Sequence, residues 1–220
     1  MTRKNLSRRE FLKISGITVG AAAVAAGSTG CAARSPETPE PEIEKPTYSY
    51  GDESKMEQRI LVVYATSKGS TVGVADVIGQ TLAERGFSVD VRPVDDDPSP
   101  EGYQTILIGS AVHGGQWLPE AVAYVKNHQQ GLHQAQVALF CVHIMNLGDD
   151  EKSRANRLGY LNSVRSLVNP VEEAFFAGVG MDPDETSAIV KWIYRTFKIG
   201  GEGDCRDWDK IRGWAQSVNV

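Results

Sequence analysis

The sequence predicts an α/β protein built on a doubly wound, five-stranded parallel sheet flanked by helices, and three observations carry that prediction. From residue 58 onward, short and fully apolar runs stand between longer amphipathic stretches, the pattern of strands buried on both faces. Runs and stretches alternate along the chain, as right-handed crossover connections between parallel strands require. The composition is that of an ordinary globular chain, with 220 residues, 41% hydrophobic, 23% charged and three cysteines. Those values exclude disordered, collagen-like and disulfide-scaffold classes.

The first strand is expected at 59–65, RILVVYA, apolar throughout after its opening arginine. An amphipathic helix follows at 70–85 and is closed by Gly86 as a carboxyl-terminal cap. The second and third strands are expected at 87–93 and 104–110. A helix at 118–130 ends at Gly131, and the run QVALFCV makes a fourth strand at 136–142. A long helix at 151–168 is stopped by Pro170, and the fifth strand is expected at 174–180. A further helical stretch at 183–199 separates that strand from a last helix at 207–218. In such a fold the ligand lies beyond the carboxyl ends of the strands. No internal repeat stands out.

Ahead of this domain the chain reads as an address and a tether. Residues 1–31 carry a basic start, an apolar run at 14–26, and then Gly27-Ser28-Thr29-Gly30-Cys31, the layout of an export signal. A run of thirteen residues is too short to span a bilayer. Ser7-Arg8-Arg9-Glu10-Phe11-Leu12-Lys13 resembles the twin-arginine signal, which implies export of an already folded protein. Cys31 after Gly30 resembles a lipobox, with Ser28 where leucine is usual. Lipidation of Cys31 and simple cleavage nearby both stay open. Residues 32–57 hold four of the ten prolines, with Glu37, Glu40, Glu42 and Glu44 between them, and are expected to be an extended, disordered spacer. The net charge of −5 divides into +4 on residues 1–31 and −9 on the rest. The acidic body leaves no basic stripe for a nucleic acid.

The chemistry is expected in the loop Thr66-Ser67-Lys68-Gly69-Ser70-Thr71, which a buried strand delivers onto a helix amino terminus. Hydroxyls, free backbone N–H groups and the positive end of a helix dipole suit a phosphate. Gly69 permits close approach and Lys68 adds positive charge. Neither G-x-G-x-x-G nor G-x-x-x-x-G-K-[ST] occurs, which argues against a dinucleotide or ATP loop.

The run from Val62 to Ile78 is similar to the flavodoxin signature, with Val62-Val63-Tyr64 followed by Thr66, Gly69, Thr71, Ala75 and Ile78 at its constrained positions. The resemblance implies a flavodoxin-like fold and FMN, with the phosphate in loop 66–71. It also places the walls of the flavin in the loops after the third and fourth strands. The first of these reads Ser110-Ala111-Val112-His113-Gly114-Gly115-Gln116-Trp117. Its glycines would let backbone approach the ring, and His113 or Trp117 could stack on it. Packing of Trp117 into its own domain is the competing reading. The second wall includes Val142, His143 and Asn146. His143 has no second ligand at a metal-binding spacing, and no metal is expected. His128 and His133 read as solvent-facing residues at a helix end.

Three features resemble the menaquinone-dependent protoporphyrinogen oxidase branch of flavodoxin-like proteins: the segment 108–114, the long fourth helix, and Gly200-Gly201-Glu202 followed by Asp207-Trp208. That branch implies a membrane-associating element at 183–199, where Ile189, Val190, Trp192, Ile193 and Phe197 alternate with Lys191, Arg195 and Lys198. A helix packed on its own domain is the alternative. Porphyrin-oxidising members carry no export signal, and His113 stands where an aromatic phenol is usual. The leading expectation is an exported, membrane-tethered FMN protein moving electrons between a donor and a quinone or protein acceptor. Protoporphyrinogen oxidation and a cofactor-free lipoprotein binding module are the alternatives. Cys141 and Cys205 read as free thiols, with a disulfide between them left open.

Overall fold

The computed structural model describes residues 43–51, 59–180, 182, 192, 196 and 200–220. The signal at 1–31 with Cys31, residues 32–42 and 52–57 of the spacer, and the stretch 183–199 apart from Trp192 and Thr196 lie outside the described residues. Residues 44–220 make up one unit.

Strand β1 (Tyr48–Tyr50) comes first, then β2 (Arg59–Ala65), helix α1 (Ser70–Glu84) and β3 (Ser88–Pro93). Strand β4 (Thr105–His113) turns back into the short β5 (Gln116–Trp117), followed by α2 (Pro119–Asn127) and α3 (Gln129–Leu132). Strand β6 (Gln136–His143), α4 (Glu151–Gly159), α5 (Arg165–Val168), β7 (Glu172–Ala177) and α6 (Trp208–Ser217) complete the order. The sheet runs β1-β3-β2-β4-β6-β7. Its last five members are parallel, with Val62 opposite both Val91 and Leu107, and Phe140 opposite Ala174.

Because side chains alternate across a strand, each apolar run feeds two cores. Leu61, Val63, Ile106, Ile108 and Leu139 face Trp117, Tyr124, Val125, Leu161 and Val164 on one side. Val62, Tyr64, Leu107, Phe140 and Val142 face Val74, Ile78 and Leu82 of α1 and Ile211 and Ala215 of α6 on the other. Burial on both faces is the reason the runs are continuous rather than alternating. The ring of Phe140 lies over Gly109, where a Cβ would come within 2.0 Å of it.

The elements depart from the expected ones in four places. Tyr48–Tyr50, expected in the disordered spacer, pairs antiparallel with β3 and so covers what would be an open sheet edge. Aromatic and polar contacts hold it there: Tyr50 donates to Asp76, and Ser49 donates to Asp90 at 2.7 Å. Burial opposes ionisation of Asp90, yet donors from Ser49, Arg59 and Tyr103 keep its carboxyl below the usual carboxylate range. The expected helix at 118–130 breaks at His128 into α2 and α3. There His128 is half-buried and bonds Asp97 at 2.7 Å, while His133 is exposed. The expected helix at 151–168 also breaks, because Tyr160, Leu161 and Val164 turn into the core whereas α4 buries nothing. Finally, the fifth parallel strand sits two to three residues earlier than expected, at Glu172–Ala177, and alternates in burial as an edge strand should.

Candidate functional site

Strand order reverses at β2, whose neighbours β3 and β4 lie on opposite sides. The connections after β2 and β4 therefore part, opening a crevice at the carboxyl end of the sheet. Four chain segments converge there: 66–70, 111–118, 144–150, and 178–180 with 200–206.

The first is the phosphate-type loop. Thr66 is buried, and its Oγ1 accepts the Gly69 N–H at 2.9 Å. That bond closes a tight turn in which Gly69 takes φ 81° and stands as the cap of α1, a left-handed position that glycine alone takes at no steric cost. No side chain caps α1, so its first N–H groups lack side-chain acceptors. Thr71 is fully buried, and its Oγ1 has no hydrogen-bond partner. A hydroxyl left so costs about 1–3 kcal/mol. Ser67 and Lys68 are exposed. Ser70 lies against Gly178, where a Cβ would be 3.3 Å from its Oγ.

The second segment is a β-hairpin rather than an open loop. Val112 pairs with Trp117 and His113 with Gln116. Gly114 at φ 59° and Gly115 at φ 80° form its two-residue turn, and two positive φ values in a row match the twist of the flanking strands. No atom lies within 4 Å of a Cβ built at either glycine, so the turn's conformation, not close backbone approach, explains the pair. Ser110 is buried and pins the hairpin base: its Oγ donates to Ala111 O at 2.8 Å and accepts the Leu118 N–H at 3.1 Å. Ala111 and Val112 are partly buried, while His113 and Gln116 are exposed at the tip. Trp117 is only 3% exposed and packs in the core, where its Nε1–H donates to Cys141 Sγ at 3.0 Å. It is not a stacking wall. Antiparallel pairing with Val112 turns the indole toward the sheet. Burial pushes the Cys141 thiol up to about 12, and Cys205 is also a free thiol.

In the third segment Val142 belongs to the core, and His143 is 4% exposed. Burial pulls the His143 imidazole down to about 4, so the ring is neutral near pH 7. Its Nδ1 bonds Met145 O at 2.7 Å, and the ring lies 5.4 Å from that of Tyr160. Asn146 takes φ 57°. Its Nδ2 donates to Tyr160 OH at 2.6 Å, and its Oδ1 accepts from Asn156 at 3.0 Å. His143 and Asn146 thus brace the loop from within, while Met145 and Leu147 stand out from it at 50% and 39% exposure. Arg157, which the sequence reading missed, donates to the carbonyls of Asn146 and Gly148. Its position on α4, eleven residues on from Asn146, leaves no signal in the local sequence.

Together these segments set hydroxyls and the uncapped start of α1 beside two braced projections at the carboxyl end of the sheet. Among the described residues no group of three or more His, Cys, Asp or Glu is placed to hold a metal ion.

The chain belongs to the flavodoxin-domain family, whose model matches residues 61–182. It is similar to protoporphyrinogen IX dehydrogenase (quinone) of Escherichia coli K12, 24% identical over 176 aligned residues that cover 73% of this chain and 94% of that protein. A shorter stretch of 58 residues is 34% identical to a flavodoxin of Nitratidesulfovibrio vulgaris, covering 25% of this chain and 39% of that one. Two-electron reduced Megasphaera elsdenii flavodoxin superposes with a TM-score of 0.43 at 17% identity, covering 53% of this chain and 84% of that structure.

Proposed function

We propose that this chain binds FMN and carries electrons between a donor and a quinone or protein acceptor. The observation that carries the reading is the Thr71 hydroxyl, buried and without a partner directly behind the left-handed Gly69 at the start of α1. A phosphate seated at that helix end would take this hydroxyl, those of Ser67 and Ser70, and the N–H groups of the first turn. Lys68 stands exposed in the same loop and adds positive charge. The residues present therefore fit a flavin mononucleotide. The hairpin tip at His113 and Gln116 and the braced loop at 144–148 would bound its ring. Bound flavin supplies the electron-transfer chemistry; the chain's part is to bind, orient and set the electrostatic environment.

Export through Arg8-Arg9 and a lipid on Cys31 complete the proposal, placing the domain on the outer face of the membrane. The chain enters the folded unit at the carboxyl end of the sheet. Pro46 O accepts the Tyr64 hydroxyl at 2.7 Å, and Lys45 pairs with Asp95 at 2.8 Å. This entry point lies at the same end as the phosphate loop, which supports a site turned toward a membrane quinone. Trp192, helical and 62% exposed, is compatible with contact to the same surface. A second reading, quinone-dependent oxidation of protoporphyrinogen, draws on the similarity to the Escherichia coli dehydrogenase along 94% of that protein's length.

The test is an absorption spectrum of purified protein with identification of what denaturation releases, followed by fluorescence titration with FMN. A yellow protein releasing FMN is expected. A colourless protein that leaves FMN fluorescence unchanged overturns the proposal. Turnover of protoporphyrinogen with a quinone by the FMN-loaded protein separates the second reading from the first.

A further inference from the structure

We propose that residues 45–50 form a strap whose docking is linked to the phosphate loop, so that a loaded loop holds the strap more firmly than an empty one; the inference rests on the FMN reading above. The strap is the stretch of chain that leads back toward Cys31. It grips both elements that the loop joins. On the strand side, Tyr64 lies two residues before Thr66 and is fully buried, and its hydroxyl donates to Pro46 O at 2.7 Å. On the helix side, the Tyr50 hydroxyl donates to Asp76 of α1, which also accepts from Gln80 at 2.8 Å.

Room for this grip is built into α1. A Cβ on Gly79 would lie 2.5 Å from Val91 Cγ2 and 3.3 Å from the Tyr50 ring, so a bare helix position lets the tyrosine lie against the helix. Tyr48 stacks on Tyr50 with ring centroids 5.9 Å apart, and both rings pack against the core that α1 shares with the sheet. Three further contacts complete the attachment. The backbone pairs with Val89–Val91, Lys45 pairs with Asp95 at 2.8 Å, and Arg92 Nη1 donates to Tyr48 O at 2.5 Å.

Strand β1 is three residues long and only half-buried at Tyr48 and Tyr50, the profile of an element that opens locally, ahead of the whole fold. Its hold therefore depends on how firmly the elements beneath it are fixed. Thr66 Oγ1 closes the loop onto the Gly69 N–H, and the Thr71 hydroxyl has no partner. A phosphate taking that hydroxyl and the first N–H groups of α1 would fix the end of β2 against the start of the helix. The strap spans the same two elements, so whichever binds first lowers the ordering cost of the other. Linkage makes the effect reciprocal: FMN tightens the strap by the factor that the docked strap tightens FMN.

The experiment follows hydrogen exchange of the full chain by mass spectrometry without flavin, with FMN, and with riboflavin, which shares the ring and lacks the phosphate. Saturating FMN should slow exchange over 48–50 by about tenfold, and riboflavin should slow it far less. Tyr50→Phe, which keeps the ring over Gly79 and removes the bond to Asp76, should weaken FMN by about threefold in fluorescence titration. Where circular dichroism shows that this variant fails to fold, Lys45→Gln carries the same test. Protection gained over 66–71 with none over 48–50, equal slowing by both flavins, or unchanged FMN affinity in the folded variant overturns the linkage and leaves the FMN reading standing. Wild-type protein that gains no protection at either segment and leaves FMN fluorescence unchanged overturns both.

Discussion

Thr71 and His143 show how single side chains at this site trade stability for poise. The Thr71 hydroxyl is buried without a partner, an arrangement that costs about 1–3 kcal/mol when nothing is bound. Valine has nearly the same shape and no hydroxyl. Thr71→Val should therefore stabilise the cofactor-free protein by about 1 kcal/mol in urea unfolding, yet weaken FMN roughly tenfold in titration. His143 works through protonation. Burial lowers its folded pKa from 6.5 to about 4, so between those values the unfolded chain binds more protons than the folded one. Stability is complete above the unfolded pKa and falls as pH drops through the window, by roughly 2–3 kcal/mol at the lower end. His143→Asn should flatten this acid dependence, read as the change in urea midpoint between about pH 7 and about pH 5.

At the scale of elements, the hairpin after β4 shows how a turn type dictates sequence. Gly114 and Gly115 both have positive φ, which costs a residue with a Cβ about 1–2 kcal/mol. Space does not oppose a side chain at either position, so any loss there is conformational. Gly115→Val should lower stability by about 1–2 kcal/mol in urea unfolding, whereas Gly115→Asn, a residue that tolerates the left-handed region, should lower it less. The break between α4 and α5 follows a different rule. Helix α4 buries no residue and is held by its Asp150 cap, which accepts the Ser153 N–H at 2.9 Å, and by Arg157. Its periodicity is polar, so nothing in the core requires it to continue straight into α5.

For the whole molecule, the folded unit begins at Glu44, ahead of the apolar pattern that starts near residue 58. Strand β1 covers the β3 edge, and an uncovered edge is a template for pairing with other chains. A chain starting at Glu44 should melt as one cooperative unit. One starting at Gln58 should melt several degrees lower and self-associate with rising concentration, as light scattering would show.

The strands, the crossovers and the phosphate-type loop were legible in the sequence because each is contiguous. A buried strand announces itself by composition, and Thr66, Gly69 and Thr71 sit within six residues of one another at a strand-to-helix junction. The parallel strands and α1 accordingly stand within a few residues of their expected positions. What lay beyond the sequence depends on pairing across distance. The polar character of 32–57 hid a three-residue strand whose partner lies 41 residues further on. The inward turn of Trp117 was decided by its register against Val112. Arg206 reaches the first turn of α1 only because segment 200–206 is hydrogen-bonded to the end of β7. Local pattern determined the fold class and the strand-to-helix loop at which an anion is proposed to sit. Tertiary structure alone decided which side chains gather around that loop, because long-range register, not residue type, aims a side chain.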